Sequence, residues 1–129
     1  MRKYERMLQL KIKRIYQKAD DRDGVRILID GIWPRGINKD GAKIDFWLKE
    51  IAPSSGLRKW FSHDPEKWPE FCKRYDKELS FKKEPVQKLL DIIKEHHNVT
   101  LLYGSKEERY NNAVFLEEYL ERHIHQSHQ

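Results

Sequence analysis

Asp30, Arg35, Arg58 and His63 are the side chains whose types and spacing suit chemistry. The first two lie in the stretch Asp30-Gly31-Ile32-Trp33-Pro34-Arg35-Gly36. This follows the apolar run Val25-Arg26-Ile27-Leu28-Ile29, so a carboxylate closes a strand and an indole and a guanidinium crowd the turn behind it. Ligands of α/β proteins sit outside the carboxyl ends of strands. Asp30 with Arg35 has two readings: an ion pair that fixes the turn, or an anion fork in which Arg35 binds while Asp30 orients it or acts as general base.

Arg58, His63 and Asp64 form the second group. Asp64 before Pro65 is an N-cap followed by proline at the first helical position. His63 therefore precedes a helix N-terminus, which favours anions and disfavours its own protonation. A neutral imidazole there suits acid–base work. Arg58 either joins the pocket or is a surface helix residue. The third group is Tyr103, Gly104, Ser105 and Lys106, with Asn111 and Asn112 beyond. A strand-to-helix turn offers free N–H groups to a phosphate or carboxylate, but the glycine-rich run and GK[ST] ending of a Walker loop are absent. Ser105 with Glu108 reads as a capping box rather than a nucleophile. Asn111 and Asn112 are poor choices inside a helix, so at least one is expected to make a specific hydrogen bond.

The candidate set is thus Asp30 and His63 as catalytic groups, with Trp33, Arg35, Arg58, Tyr103, Lys106 and Asn112 lining a ligand pocket. Neither metal nor cofactor is expected, since no H-E-x-x-H, G-x-S-x-G or paired C-x-x-C motif occurs. His123, His125 and His128 fall in a polar terminus and read as solvated. Cys72 reads as a packed thiol on an apolar helix face. The four tryptophans all lie between residues 33 and 68 and read mostly as core, with Trp33 or Trp60 available to stack a base.

These side chains need a scaffold. Leu8, Leu10 and Ile12 alternate with Gln9, Lys11 and Lys13, the period of a half-buried strand. The eight residues between Tyr16 and Val25 are too few for a helical crossover, which predicts a hairpin with the strand at 25–30. Ile44, Trp47, Leu48 and Ile51 have the spacing of one helix face. Ser54 or Ser55 caps a short helix through Phe61. Trp68, Phe71, Cys72, Tyr75 and Leu79 form a helical stripe, with Pro69 awkward in its first turn. Glu84-Pro85 opens a helix ending near His96-His97-Asn98, and Val99–Tyr103 is a buried strand. A last helix is predicted over about 107–124. The long helical connection makes the strands at 25–30 and 99–103 parallel.

The chain has 129 residues, about one domain, and its 12% aromatic content offsets a mean hydropathy of −0.93. The division predicted is a basic arm over 1–7, one α/β domain over 8–124 and a polar tail over 125–129. One cysteine excludes an intramolecular disulfide framework. No apolar stretch approaches the roughly 18 residues of a membrane span, and Met1–Arg6 lacks a signal-like apolar segment. The expectation is a soluble cytoplasmic protein with no membrane partner. The net charge is +5 and the pI about 9.3. Residues 1–14 carry six basic side chains and one acid, leaving 20 of each sign elsewhere. The excess charge therefore sits in the arm and first strand, where Lys11 and Lys13 also guard an edge.

Several stretches together resemble the domain-of-unknown-function 488 family, in its YeaO-like branch. They are Asp30 with Trp33-Pro34-Arg35-Gly36, Trp47-Leu48-Lys49-Glu50, Ala52-Pro53-Ser54, Leu57-Arg58-Lys59-Trp60-Phe61, His63-Asp64-Pro65, Thr100-Leu101-Leu102-Tyr103 and Asn112-Ala113. The resemblance spans about residues 9–122. It implies a small three-layer α/β domain with a short, mainly parallel sheet flanked by helices, which conflicts with the hairpin and leaves the direction of the first strand open. The wider family often carries Cys-His-Arg after the last strand. This chain has Tyr110-Asn111-Asn112-Ala113, so a thiolate mechanism does not carry over. Gly31 and Gly104 stand where the branch more usually has Arg and Ala. The expected function is a pocket for an anionic small molecule, a phosphate-bearing metabolite or nucleotide. Hydrolysis or group transfer there is left open. The alternatives are a nucleic-acid module using Arg2, Lys3 and Arg6 with an exposed indole, and a non-catalytic partner-binding domain.

Overall fold

The computed structural model of the chain describes residues 8–126; the basic arm with Arg2, Lys3 and Arg6, and the end of the tail with His128, lie outside the described residues. Four strands form one sheet: β1 (Gln9–Arg14), β2 (Val25–Leu28), β3 (Phe46–Trp47) and β4 (Asn98–Tyr103). Their spatial order is β1-β4-β2-β3, and every adjacent pair is parallel. The expected parallel pairing of the strands at 25–30 and 99–103 is present, with Ile27 opposite Leu101.

The hairpin predicted from the short connection is not formed. β1 pairs with β4, and residues 15–24 run back beside the sheet as an irregular crossover with one 3-10 turn, Asp21–Asp23. Ten extended residues reach about 33 Å, more than the length of a six-residue strand, so no helix is needed. β4 is buried along Val99–Tyr103 and takes a strand on both sides, which leaves the amphipathic β1 at the edge. Gly24 enters β2 at φ +67°, and a Cβ there would lie 2.2 Å from the Asn98 carbonyl oxygen. Only glycine fits that turn.

The long helices are α3 (Trp68–Ser80), α4 (Lys83–His96) and α5 (Asn112–Gln126). With α2 (Ser55–Phe61) they supply the main core against Ile27, Ile29, Val99 and Leu101. The stripe Phe71, Tyr75 and Leu79 is buried as its spacing requires, and Pro69 is accommodated in the first turn of α3. Ser54 caps α2, its Oγ accepting from the Leu57 N–H at 3.1 Å. The opposite sheet face is covered by a thinner layer: Trp33, Ile37, Ala42 and Ile44, around the single turn α1 (Lys39–Ala42), pack on Ile15, Leu28 and Leu102.

The helix predicted over residues 44–51 is instead β3 followed by a 3-10 turn, Lys49–Ile51. The Asp45 N–H donates to Arg26 O and the Leu48 N–H to Leu28 O. The open edge of β2 captures the segment, overriding a spacing that fits a helix by coincidence.

Candidate functional site

Because all strands are parallel, their carboxyl ends share one rim. The segments leaving the adjacent strands β2 and β4 diverge: 31–45 crosses to the thin layer, while 104–112 leads to α5 on the thick side. Such divergence opens a crevice between neighbouring strands. Asp30 lies in it. Its Oδ2 accepts from the Gly104 N–H at 2.8 Å, its Oδ1 from Asn112 Nδ2 at 3.1 Å, and its backbone carbonyl from Trp47 Nε1 at 2.7 Å. One residue thus ties β2 to β3, to the turn after β4 and to α5.

Asn112 reaches Asp30 because α5 begins at Asn112 rather than near 107. Ser105 Oγ accepts from the Glu107 N–H at 2.9 Å, closing a turn instead of the predicted capping box. The helix cap is Asn111, buried, with Oδ1 accepting from the Val114 N–H at 3.1 Å and Nδ2 donating to Glu107 O at 2.7 Å. The asparagines that read as misplaced inside a helix are its cap and its first residue.

Arg58 and His63 come from α2 and the turn after it. Ser62 and His63 have φ of +45° and +57°, two successive non-glycine residues in the left-handed region. Backbone of this kind is costly and concentrates at functional sites. It sets the His63 ring edge-on to Phe61, centroids 5.7 Å apart, with Nδ1 3.5 Å from Tyr110 O. Asp64 is an N-cap as expected, its Oδ1 accepting from the Glu66 N–H, but the turn it opens is 3-10 before α3 begins.

These groups line one cavity of about 530 Å³. Asp30, Arg58, His63 and Asn112 provide its polar side, and Trp33, Phe61, Phe71, Ala52 and Pro53 provide apolar wall. Burial raises the Asp30 pKa above the usual aspartate range, against the opposing pull of Asn112, Gly104, Arg58 and His63. The carboxylate therefore stands in a poorly solvated place, with the Arg58 guanidinium opposing the effect of burial.

Six of the eight sequence candidates line this cavity: Asp30, Trp33, Arg35, Arg58, His63 and Asn112. Tyr103 and Lys106 do not. Tyr103 is buried in the main core, and Lys106 is exposed on the turn beyond Ser105. The Asp30–Arg35 ion pair is not formed; Asp30 is held by Gly104 and Asn112, while the Arg35 carbonyl accepts from Tyr16 Oη at 2.7 Å. Trp60 is not in the cavity, and Arg74 and Lys67 lie over its ring at 4.2 and 5.1 Å. His123 is half-buried at the end of α5, its ring 4.2 Å from that of Tyr119, rather than loose in a tail. The sequence reading missed Tyr16, Phe61 and Phe71 as lining residues. The signal for Tyr16 was its place just past β1, informative only once β1 is known to run parallel. Among the described residues no cluster of His, Cys, Asp and Glu is suited to a metal ion, and no helix is long and apolar enough to cross a membrane.

Fold and cavity together define a small parallel α/β domain with an open crevice at its strand ends. The chain belongs to the inactive DUF488-N3 subclade, whose family model matches residues 9–129. It is 39% identical over 113 residues to the uncharacterized protein YeaO of Escherichia coli, covering 88% of this chain and 97% of that protein. It is 45% identical over 74 residues to the uncharacterized proteins Rv3073c of Mycobacterium tuberculosis and Mb3100c of Mycobacterium bovis. Those matches span 57% of this chain and 63% of each mycobacterial relative, just under two thirds of their length. No solved structure matches the chain.

Proposed function

We propose that this protein binds a small anionic ligand, a phosphate-bearing metabolite or nucleotide, in the crevice at the ends of β2 and β4. The observation that carries the reading is the convergence of Asp30, Arg58, His63 and Asn112, from three separate stretches of the chain, on one cavity. Arg35 also lines the cavity, so two arginines stand beside a single carboxylate-bearing residue among the lining residues. A volume near 530 Å³ falls in the range occupied by drug-sized ligands.

Binding without covalent chemistry is the form of the reading that the site favours. Ser105 Oγ is engaged in its own turn and Tyr16 Oη in a bond to Arg35 O. Each Asp30 oxygen already accepts a hydrogen bond. The word "inactive" in the subclade's description agrees. The lone cysteine, Cys72, lies outside the cavity and fits a reducing, cytoplasmic setting. A hydrolase or transferase reading draws on the raised Asp30 pKa beside His63, the pairing expected of an acid–base couple.

Calorimetric titration with inorganic phosphate, phenyl phosphate and adenosine monophosphate tests the proposal. Saturable binding by the intact chain is expected, with affinity falling tenfold or more in Arg58→Ala, as loss of a charge-assisted hydrogen bond entails. Equal affinity in Arg58→Ala overturns it. Phosphorus NMR of the same mixtures separates binding from chemistry, since turnover releases inorganic phosphate from the esters.

A further inference from the structure

Gly31 lines the cavity directly after Asp30, and nothing in the fold requires a glycine there. Its backbone is outside the left-handed region, where Gly24 and Gly36 lie. A Cβ built on it would meet only the Ala52 Cβ, at 3.5 Å, an ordinary van der Waals contact. Gly24 differs, because a Cβ there would run into the Asn98 backbone at 2.2 Å. Gly104, the other cavity glycine, would place a Cβ 3.2 Å from Asp30 Oδ2, so it is constrained by the carboxylate it binds. The missing side chain at residue 31 therefore serves space rather than conformation.

We propose that Gly31 sets the size of the ligand, and that this ligand is an anion joined to a flat ring rather than a bare oxyanion. The inference rests on the anion-pocket reading above and names the class of ligand within it. A tetrahedral oxyanion alone fills little of a cavity of about 530 Å³. The remaining space is bounded by Trp33, Phe61, Phe71, Ala52 and Pro53, apolar surface that gains nothing from a hydrated ion and much from a ring. Asp30 adds to the discrimination: a carboxylate already seated in the crevice repels a small, highly charged ion that must approach it closely, and tolerates an uncharged ring. Any side chain at residue 31, a methyl included, takes up some of the room that ring would fill, and a longer one takes more.

The test is calorimetric titration of the full chain with inorganic phosphate and with phenyl phosphate, using wild type, Gly31→Ala and Gly31→Leu. Wild type is expected to bind phenyl phosphate at least tenfold more tightly than inorganic phosphate. Gly31→Leu should remove that advantage by weakening phenyl phosphate, and Gly31→Ala should lose part of it. Thermal unfolding checks that each variant is folded, and the alanine variant decides the matter if leucine prevents folding. An undiminished advantage for phenyl phosphate in the folded variants overturns the role of Gly31. Equal binding of both probes by wild type overturns the ring-bearing ligand but leaves the anion pocket standing. Binding of neither probe overturns the pocket reading itself, and this inference with it.

Discussion

Asp30 and Asn112 stand 82 positions apart in the chain and meet at 3.1 Å, the amide Nδ2 donating to the carboxylate Oδ1. The bond joins the end of β2 to the first residue of α5, and with the Gly104 N–H it fixes the carboxylate in the crevice. A charge-assisted bond in such a place is worth about 1.5–3 kcal/mol. Asn112→Ala is expected to lower unfolding stability by about that amount in urea, with the midpoint moving and the slope unchanged. A change under about 0.5 kcal/mol would mean that water replaces the amide at no cost.

Asp30 also gives stability a defined pH dependence. Burial raises its pKa in the folded state above the ordinary 3.8, so the folded chain holds this proton more tightly than the unfolded one. Stability from this group is therefore fully present below 3.8 and is lost as pH rises through the raised value. Asp30→Asn removes the effect. Unfolding curves of wild type and Asp30→Asn, taken from pH 3 to pH 8, should show the wild type losing ground to the variant as pH rises. Parallel curves would contradict the assignment.

At the opposite end of the sheet, Asp23 is buried and accepts from Lys13 at 3.1 Å and from Arg26 at 2.6 Å. Arg26 is itself buried and donates to the carbonyls of Ala42 and Lys43. Burial disfavours the Asp23 carboxylate, but the Asp20 N–H, Lys13 and Arg26 outweigh it and lower its pKa, a sign opposite to that of Asp30. Its contribution is present above the ordinary aspartate range and lost as pH falls through the lowered value. Asp23→Ala strands a buried guanidinium and should cost about 3–5 kcal/mol at neutral pH by chemical denaturation. Asp23→Ala paired with Arg26→Met should recover part of that loss, because the replaced pair no longer leaves a lone charge.

Cys72 is half-buried on α3, and burial, assisted by Glu118, pushes its thiol up to about 11 from 9.0. Two pKa units reduce the thiolate fraction about a hundredfold at neutral pH. Alkylation of the native chain at pH 8 should therefore run about a hundredfold slower than that of a free thiol, and reach the free rate in denaturant. Fast native labelling would place the sulfur in water.

Much of the scaffold is local and was legible in the sequence. The stripe of Phe71, Tyr75 and Leu79, the cap at Ser54 and the N-cap at Asp64 depend on neighbours within a few turns. The same holds for the strand-end position of Asp30, because an apolar run that stops at a carboxylate and a turn announces its own end. The segments read wrongly were those whose pairing partner is not recorded in their own residue pattern. Residues 44–51 took the edge of β2 although their spacing suits a helix, and β1 passed over its nearest neighbour in sequence to pair with β4.

By itself the sequence determined an α/β domain, a parallel pair at its centre and a strand-end carboxylate with candidate cations nearby in the chain. Tertiary structure alone decided which of them share a cavity. It admitted Tyr16 and Asn112, put Tyr103 into the core, left Lys106 on the surface and separated Asp30 from Arg35. The physical reason is that hydrogen bonds and burial act through space: a donor 82 positions away satisfied the Asp30 carboxylate, and no local pattern of residues records that choice.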